Sequence, residues 1–537
     1  MLTPAHYGLP ARYSLWREGQ LDAIEQMYQS PARFNVLCAP TGFGKSLVIM
    51  AASKMLGWRT LVLTSTKGLQ DQYSRDFSEI ACDLRGKNNF LCPIAVKLDI
   101  PPNTPVSEAP CNYGFRCKYK SGGCEYYDRY REAQRAEIVV TNYQCWLHDQ
   151  QKARSRAGSL EVDRPFDLMV MDEAHGAPEE LASYLEVEVA QKECERVAIE
   201  WPYRGYEFRQ WVDWAKHWSV HVLRVVEQYD AAMKDGARLS AGEFKDAARH
   251  KSISYKLIRI AGIQAEHEWV MESDEDETKV KFSPLWPQRY SEQELFRGAK
   301  KVVLVSATVR PKTLDLLGVS TDAGSREFVE YSSAFPVSRR PVTHVRCVQM
   351  RYTMTDEEKA IWGNKIDLII TGRPKVKGIV HTVSYHRAKW LMENSRHRGT
   401  GRLLAHDKWN RAERVREFKE LPPESGAVLI SPSLDTGYDF PDDEARYQVI
   451  AKLPFPDLRS AVQRARMEVD KEYRNYVTAQ DLVQMSGRIV RSEDDWGETF
   501  IVDDQVSWFV RVARDYLPQW WLDAYKSVAM VPPGMRG

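Results

Sequence analysis

The chain has 537 residues, 43% hydrophobic and 11% aromatic, with 75 lysines and arginines against 74 acidic residues. That length exceeds one core and predicts several domains, and the apolar content excludes disorder throughout. No apolar run approaches the roughly 20 residues that span a bilayer, and the N-terminus lacks a charged start followed by an apolar stretch, so a soluble, cytoplasmic protein is expected.

In chain order, "YSLWREGQLDAIEQM" (13–27) predicts a helix start carrying Arg17 and Gln20. The Gln20 amide offers a donor and an acceptor, as an adenine edge requires, although an ordinary amphipathic helix would read the same way. "RFNVLCAPTGFGKSLVIMAASKML" (33–56) reads as a buried strand, a glycine-bearing loop and a helix. The loop APTGFGKS matches the Walker A pattern, with Ala39 in place of the usual first glycine. Its Thr41, Gly42 and Gly44 amides would cradle phosphate oxygens, Lys45 would reach the β- and γ-phosphates, and Ser46 would ligate Mg²⁺. "LVLTSTKGLQDQ" (61–72) is a second strand running into a helix, with Thr66 and Gln70 at its turn.

Nine cysteines follow an uneven distribution, with five inside 82–124. An intracellular chain has little use for disulfides, so the clustering points to a metal. Cys92, Cys111, Cys117 and Cys124 are spaced C-x18-C-x5-C-x6-C, without the C-x2-C pair of a structural zinc knuckle. Cys82 is the rival first ligand. Arg116, Lys118 and Tyr119 lie among these cysteines, and cations interleaved with aromatic faces suit a single-strand platform. Packing around the metal is the plainer reading for each tyrosine.

"FDLMVMDEAHGAPEE" (166–180) is a buried strand that delivers Asp172 and Glu173 to its C-terminal end, where α/β sheets place ligands. Asp172 would hold Mg²⁺ and Glu173 would orient and deprotonate the attacking water, with His175 linking this DEAH box to the rest of the machine. Residues 186–290 are rich in helix formers and tryptophan at helical spacing, predicting a helical insertion in which many tryptophans are core. "KKVVLVSATVRP" (300–311) ends a buried strand in Ser306 and Thr308, small hydroxyls able to bond the DEAH turn. "GAVLISPSLDTGYDFPD" (426–442) is a further strand-to-loop unit. "VQMSGRIVRSEDDWG" (483–497) places Gln484, Arg488 and Arg491 on one side of a helix, where the arginines could stabilise γ-phosphate charge across a cleft.

The order of these motifs resembles the superfamily 2 helicases. The narrower resemblance, carried by "EIVVTNYQCWL" (137–147), "KLPFPDLRSAVQRAR" (452–466) and "QMSGRIVRSEDDWG", is to the XPD/DinG-like iron–sulfur branch, nearest its bacterial and phage DinG members. The resemblance implies an α/β fold of two RecA-like parallel-sheet motor domains with an inserted iron–sulfur domain and a helical Arch domain. The expected boundaries are motor domain 1 at 1–80, 136–185 and 291–320, the cluster domain at 81–135, the Arch at 186–290, and motor domain 2 at 321–537.

It further implies ATP and Mg²⁺ as cofactors, a [4Fe–4S] cluster on Cys92, Cys111, Cys117 and Cys124, and Gly437 and Asp439 as added ATP contacts. Thr66, Gln70, Arg116, Lys118, Tyr119, Ser306 and Thr308 become the expected nucleic-acid contacts. The implied activity is ATP-dependent translocation on single-stranded DNA, 5′→3′, with unwinding of duplex or forked DNA by a monomer in a bacterial or phage-infected cell. Thr436 stands where relatives carry glutamate, and Gln505 where an arginine is common. RNA stays open as a substrate. A translocase without strand separation and a non-catalytic clamp are the other readings.

Overall fold

The computed structural model describes residues 3–535 apart from 99, 113–116, 155–158, 162–163, 235–239, 323, 433–437 and 491–493. Two seven-stranded sheets organise it. The first runs in the order Arg326–Glu330, Phe34–Cys38, Lys301–Ser306, Leu168–Asp172, Thr60–Thr64, Ile138–Asn142 and Cys82–Asp83. Every neighbouring pair in it is parallel. The strands are short runs of Val, Leu, Ile and Met because helices cover both faces of a parallel sheet.

Alternation along each strand sorts these residues between two cores. Val36, Leu61, Leu63, Val139, Met169, Met171, Val302 and Leu304 face one side. Leu37, Val62, Val140, Leu168, Val170, Val303 and Val305 face the other, against the helix Lys45–Leu56. This sheet takes its edge strand from Arg326–Glu330, beyond residue 320 where the motifs close the first motor domain.

The second sheet, also parallel, runs Leu403–Ala405, Val428–Ser431, Gly378–His381, Tyr447–Ile450, Glu498–Ile501, Val342–Val345 and Tyr525–Val528. The two expected motor domains therefore have the architecture their motifs imply.

Two insertions interrupt the first sheet. Between Cys82–Asp83 and the helix Glu125–Arg135 the chain makes mostly short 3-10 turns. Their own core holds little more than Cys92, Ile94, Ala95 and Ala109, with Cys111, Cys117 and Tyr119 against it. The second insertion pairs the long helices Phe208–Lys234 and Ala241–Ala261. It is not purely helical: Val187–Ala190, Lys279–Pro284 and Trp269–Ser273 form an antiparallel sheet beneath them. The acidic run 272–279 is the tip of that hairpin, closed by Asp274 accepting from the Lys279 amide and the Thr278 hydroxyl. Trp211 is buried there and Trp201, Trp214 and Trp218 pack against the same core, as expected of structural tryptophans. Among the described residues no helix is long and apolar enough to cross a membrane.

Candidate active site

The Walker A loop joins the buried strand Phe34–Cys38 to the helix Lys45–Leu56. Gly42 and Gly44 adopt φ of 83° and 79°, the left-handed region that side chains disfavour. A Cβ on Gly42 would enter the Phe335 ring, and one on Gly44 would enter the Gln20 amide. Lys45 Nζ lies 3.3 Å from the Ala39 carbonyl and 3.4 Å from that of Pro40, folded back over the loop.

Arg17, just before the helix Gln20–Gln29, and Gln20 at its start reach the same loop. Arg17 donates to the Gly42 carbonyl at 2.5 Å. Gln20 is buried; it donates to the Phe43 carbonyl at 2.7 Å and accepts from the Arg17 amide at 2.9 Å. Its amide carbonyl and one N–H thus serve the protein, so Gln20 shapes the loop instead of offering a free edge to a base.

Opposite the loop, Asp172 ends its strand and Glu173 turns the chain at φ 52°. A non-glycine residue in that region stores strain, and such residues gather at functional sites. Tyr73 donates to Asp172 Oδ2 at 2.8 Å and also bonds Ser46, so one buried hydroxyl bridges the two expected Mg²⁺ ligands. Burial, then the Asp172 charge, pushes the Tyr73 phenol well above its ordinary pKa and keeps it a donor. Burial and the adjacent Glu173 charge raise Asp172 to about 6. Burial works against the Glu173 charge too, but the His175 hydrogen bond and the Lys45 ammonium prevail and hold this carboxyl below the usual range. Two hard oxygen ligands at Ser46 and Asp172 suit Mg²⁺, which prefers few protein oxygens plus phosphate.

From Glu173 a chain of side chains crosses to the second sheet. Glu173 Oε2 accepts from Ser306 at 3.2 Å and stands 3.3 Å from His175 Nδ1, which is 2.8 Å from Ser306 Oγ. The Thr308 amide donates to Ser306 Oγ at 3.2 Å. Gln484 donates to Thr308 Oγ1 at 3.1 Å, and Gln480 to the Thr308 carbonyl at 2.6 Å. Ser306 and Thr308 are fully buried in this bridge, not at a strand-binding surface.

Other expected residues are placed differently. The helix bearing Gln484 spans Tyr473–Ser486 and ends at Gly487, so Arg488 lies beyond it, not on its face. Arg488 donates to the Tyr438 carbonyl at 3.1 Å and lies 3.3 Å from Asp439 Oδ1. Asp439 therefore faces an arginine in this state. Gly437, Arg491, Arg116 and Thr436 lie outside the described residues. Thr66 caps its helix by accepting from the Leu69 amide at 3.2 Å. Gln70 is buried, donating to Asp83 and to the Leu84 carbonyl at 2.9 Å, so it holds the sheet edge. Tyr119 is flanked by Lys97 and Lys118 at 5.8 and 5.4 Å from its ring centroid.

Cys124 interacts electrostatically with Cys117 and Cys92, and Cys111 with Cys117, whereas Cys82 sits on its strand beside Arg129 and Glu132. Cys92, Cys111 and Cys117 share one small apolar cluster, whereas Cys124 and Cys82 are both buried in a core of the first sheet. Among the described residues no group of three or more His, Cys, Asp or Glu is placed to hold a metal ion, so the expected four-cysteine ligand set is not assembled here. Burial raises the Cys111 and Cys124 thiols above their ordinary pKa.

Tyr73 and Phe335 were not legible as site residues. Phe335 comes from the segment between the sheets and, with Thr41, Ser333, Arg340 and Gly487, lines a small cleft of about 30 Å³ beside the loop.

Comparison with known proteins agrees with this geometry. Residues 373–524 match the helicase C-terminal domain, and residues 14–199 match the res subunit of type III restriction enzymes. A Methanocaldococcus jannaschii protein described as a probable ATP-dependent helicase is 22% identical, over 94% of each chain. Among solved structures, an XPD helicase aligns over 95% of this chain and 98% of its own, with TM-score 0.59 and 14% identity. Xpd4 of S. tokodaii aligns over 96% and 100%, with TM-score 0.60 and 14% identity. The domain matches and the helicase relative support a two-lobed ATP motor of the helicase type. Within that class the fold is XPD-like.

Proposed function

We propose that this protein is an ATP-dependent DNA helicase that moves 5′→3′ on single-stranded DNA and opens forked duplexes, acting as a monomer. The observation that carries the reading is the side-chain bridge from Glu173 through Ser306 and Thr308 to Gln484. A water-activating carboxylate tied to a residue of the other lobe lets hydrolysis and lobe movement report on each other.

In this reading the loop amides of Thr41, Gly42 and Gly44 and the Lys45 ammonium hold the phosphates, with Arg17 and Gln20 setting the loop's shape. Ser46 and Asp172 hold Mg²⁺, which when bound neutralises phosphate charge. Glu173 takes the proton of the attacking water. Gln484, Arg488 and Asp439 would act from the second lobe, and the motifs would add Arg491 and Gly437, which lie outside the described residues. Arg488 would exchange its Asp439 contact for phosphate as the lobes close.

Cys92, Cys111, Cys117 and Cys124 would hold a [4Fe–4S] cluster, as the resemblance to the DinG branch implies. The group supplies a rigid staple. What this chain brings is the need for one, since a segment of 3-10 turns with so small a core is hard to hold folded. Arg116, Lys118 and Tyr119 would then meet the displaced strand.

The test is strand separation on a forked DNA with 5′ and 3′ tails, followed beside phosphate release. The expected result is ATP-dependent unwinding that requires the 5′ tail. Phosphate release without displaced strand would leave a translocase. Iron and sulfide should co-purify anaerobically, and Cys117→Ser should bleach the brown absorbance and lose unwinding. Bleaching by Cys82→Ser but not Cys92→Ser would overturn the ligand set.

A further inference from the structure

Trp409 is 84% exposed, in the loop that follows the edge strand Leu403–Ala405 of the second sheet. Its exposure is built, not slack. Asp407 Oδ1 accepts from the amides of Trp409 at 2.7 Å and Asn410 at 2.9 Å, and the Asp407 amide donates to Asn410 Oδ1 at 2.9 Å. His406 anchors the loop to the next strand, with Nε2 2.6 Å from Ser431 Oγ. The indole is therefore presented on a fixed mount at the C-terminal edge of the sheet, where open α/β sheets bind ligands.

Two features say what would cover it. The first is a second aromatic: Tyr385, 45% exposed, follows the strand Gly378–His381, one strand further in than Val428–Ser431, and meets the ring of the loop's His406 edge-on at 6.2 Å. The second is charge. Lys408 Nζ lies 4.6 Å from the Trp409 ring centroid, and Arg411 opens the helix behind it. Asp407 faces backbone amides, and Glu417 is paired with Arg414 at 2.6 Å. Rigid aromatic faces beside cations match a base and its phosphate, and stacking accepts any base.

We propose that Trp409 is a base-stacking contact for single-stranded nucleic acid on the second lobe, with Lys408 on the adjoining phosphate and Tyr385 as the next aromatic face. This rests on the reading of the chain as a nucleic-acid motor. The contact also lies close to the nucleotide machinery: Arg411 stands 5.9 Å from the Tyr438 ring, and the Tyr438 carbonyl accepts from Arg488.

The test measures binding of the full chain to fluorescently labelled oligothymidine, and to an abasic oligonucleotide of equal length, by anisotropy without ATP. Trp409→Ala should weaken oligothymidine binding about 10-fold or more, and Trp409→Phe should restore most of it. On the abasic strand the wild-type and Trp409→Ala chains should bind alike, because there is no base to stack. Equal binding of oligothymidine by both chains overturns the assignment. So does an equal loss on both strands, which would make the role one of backbone contact or loop shape. Because Trp409 is a surface residue, unchanged thermal unfolding of Trp409→Ala checks that the fold is intact. A wild-type chain that binds neither strand sinks the motor reading itself, a result distinct from failure of Trp409 alone.

Discussion

Glu173→Gln lowers nucleic-acid-stimulated phosphate release by about 10²–10⁴-fold, the range that a positioned general base contributes. The substitution keeps the shape and the capacity to accept from Ser306 while removing the charge proposed to take a proton from water. ATP binding should survive, because in the proposed reading the loop and Lys45, not Glu173, hold the phosphates. Measuring turnover beside equilibrium binding of a fluorescent nucleotide separates the two effects. Retained turnover would remove Glu173 from its role. Loss of binding and turnover together would make it a structural support of the strained turn at φ 52°.

The largest stability effect is expected at a different place. Arg373 and Glu498 form a two-pronged ion pair inside the second lobe, with both N–O distances 2.7 Å and side chains 1% and 6% exposed. The Arg373 guanidinium also lies 4.4 Å from the Phe500 ring centroid. Arg373→Ala leaves a buried carboxylate without its partner, at a cost of about 3–5 kcal/mol. For a lobe of this size that lowers its calorimetric transition by on the order of 10 °C. Arg373→Met with Glu498→Leu should recover most of the loss, because both charges are then gone. A shift below about 2 °C in the single variant would show that water or a local rearrangement compensates the carboxylate.

The phosphate loop and the acidic turn of the candidate site are legible in the sequence. The Walker A loop and the DEAH turn are contiguous, and each needs residue types that only its chemistry explains: glycines at positive φ, a lysine at a helix start, carboxylates at a strand end. Buried parallel strands announce themselves as short apolar runs, so both sheets were expected. Gln70 and Gln20 show where such reading stops. An amide looks alike whether it meets a ligand or the protein's own polar groups, and only the fold decides which. Arg488 teaches the same lesson, since a three- and four-residue spacing implies one helical face only while the helix lasts. Gly487 ends it.

Local order and short-range chemistry therefore determined the phosphate loop, the acidic turn, the strands and the run of cysteines. Folding alone decided that Tyr73 bridges Ser46 and Asp172, that Phe335 lies over Gly42, and that Thr308 joins the DEAH turn to Gln484. Those partners stand up to hundreds of residues apart. Their pairing follows from strand order and packing, which no single stretch of chain encodes.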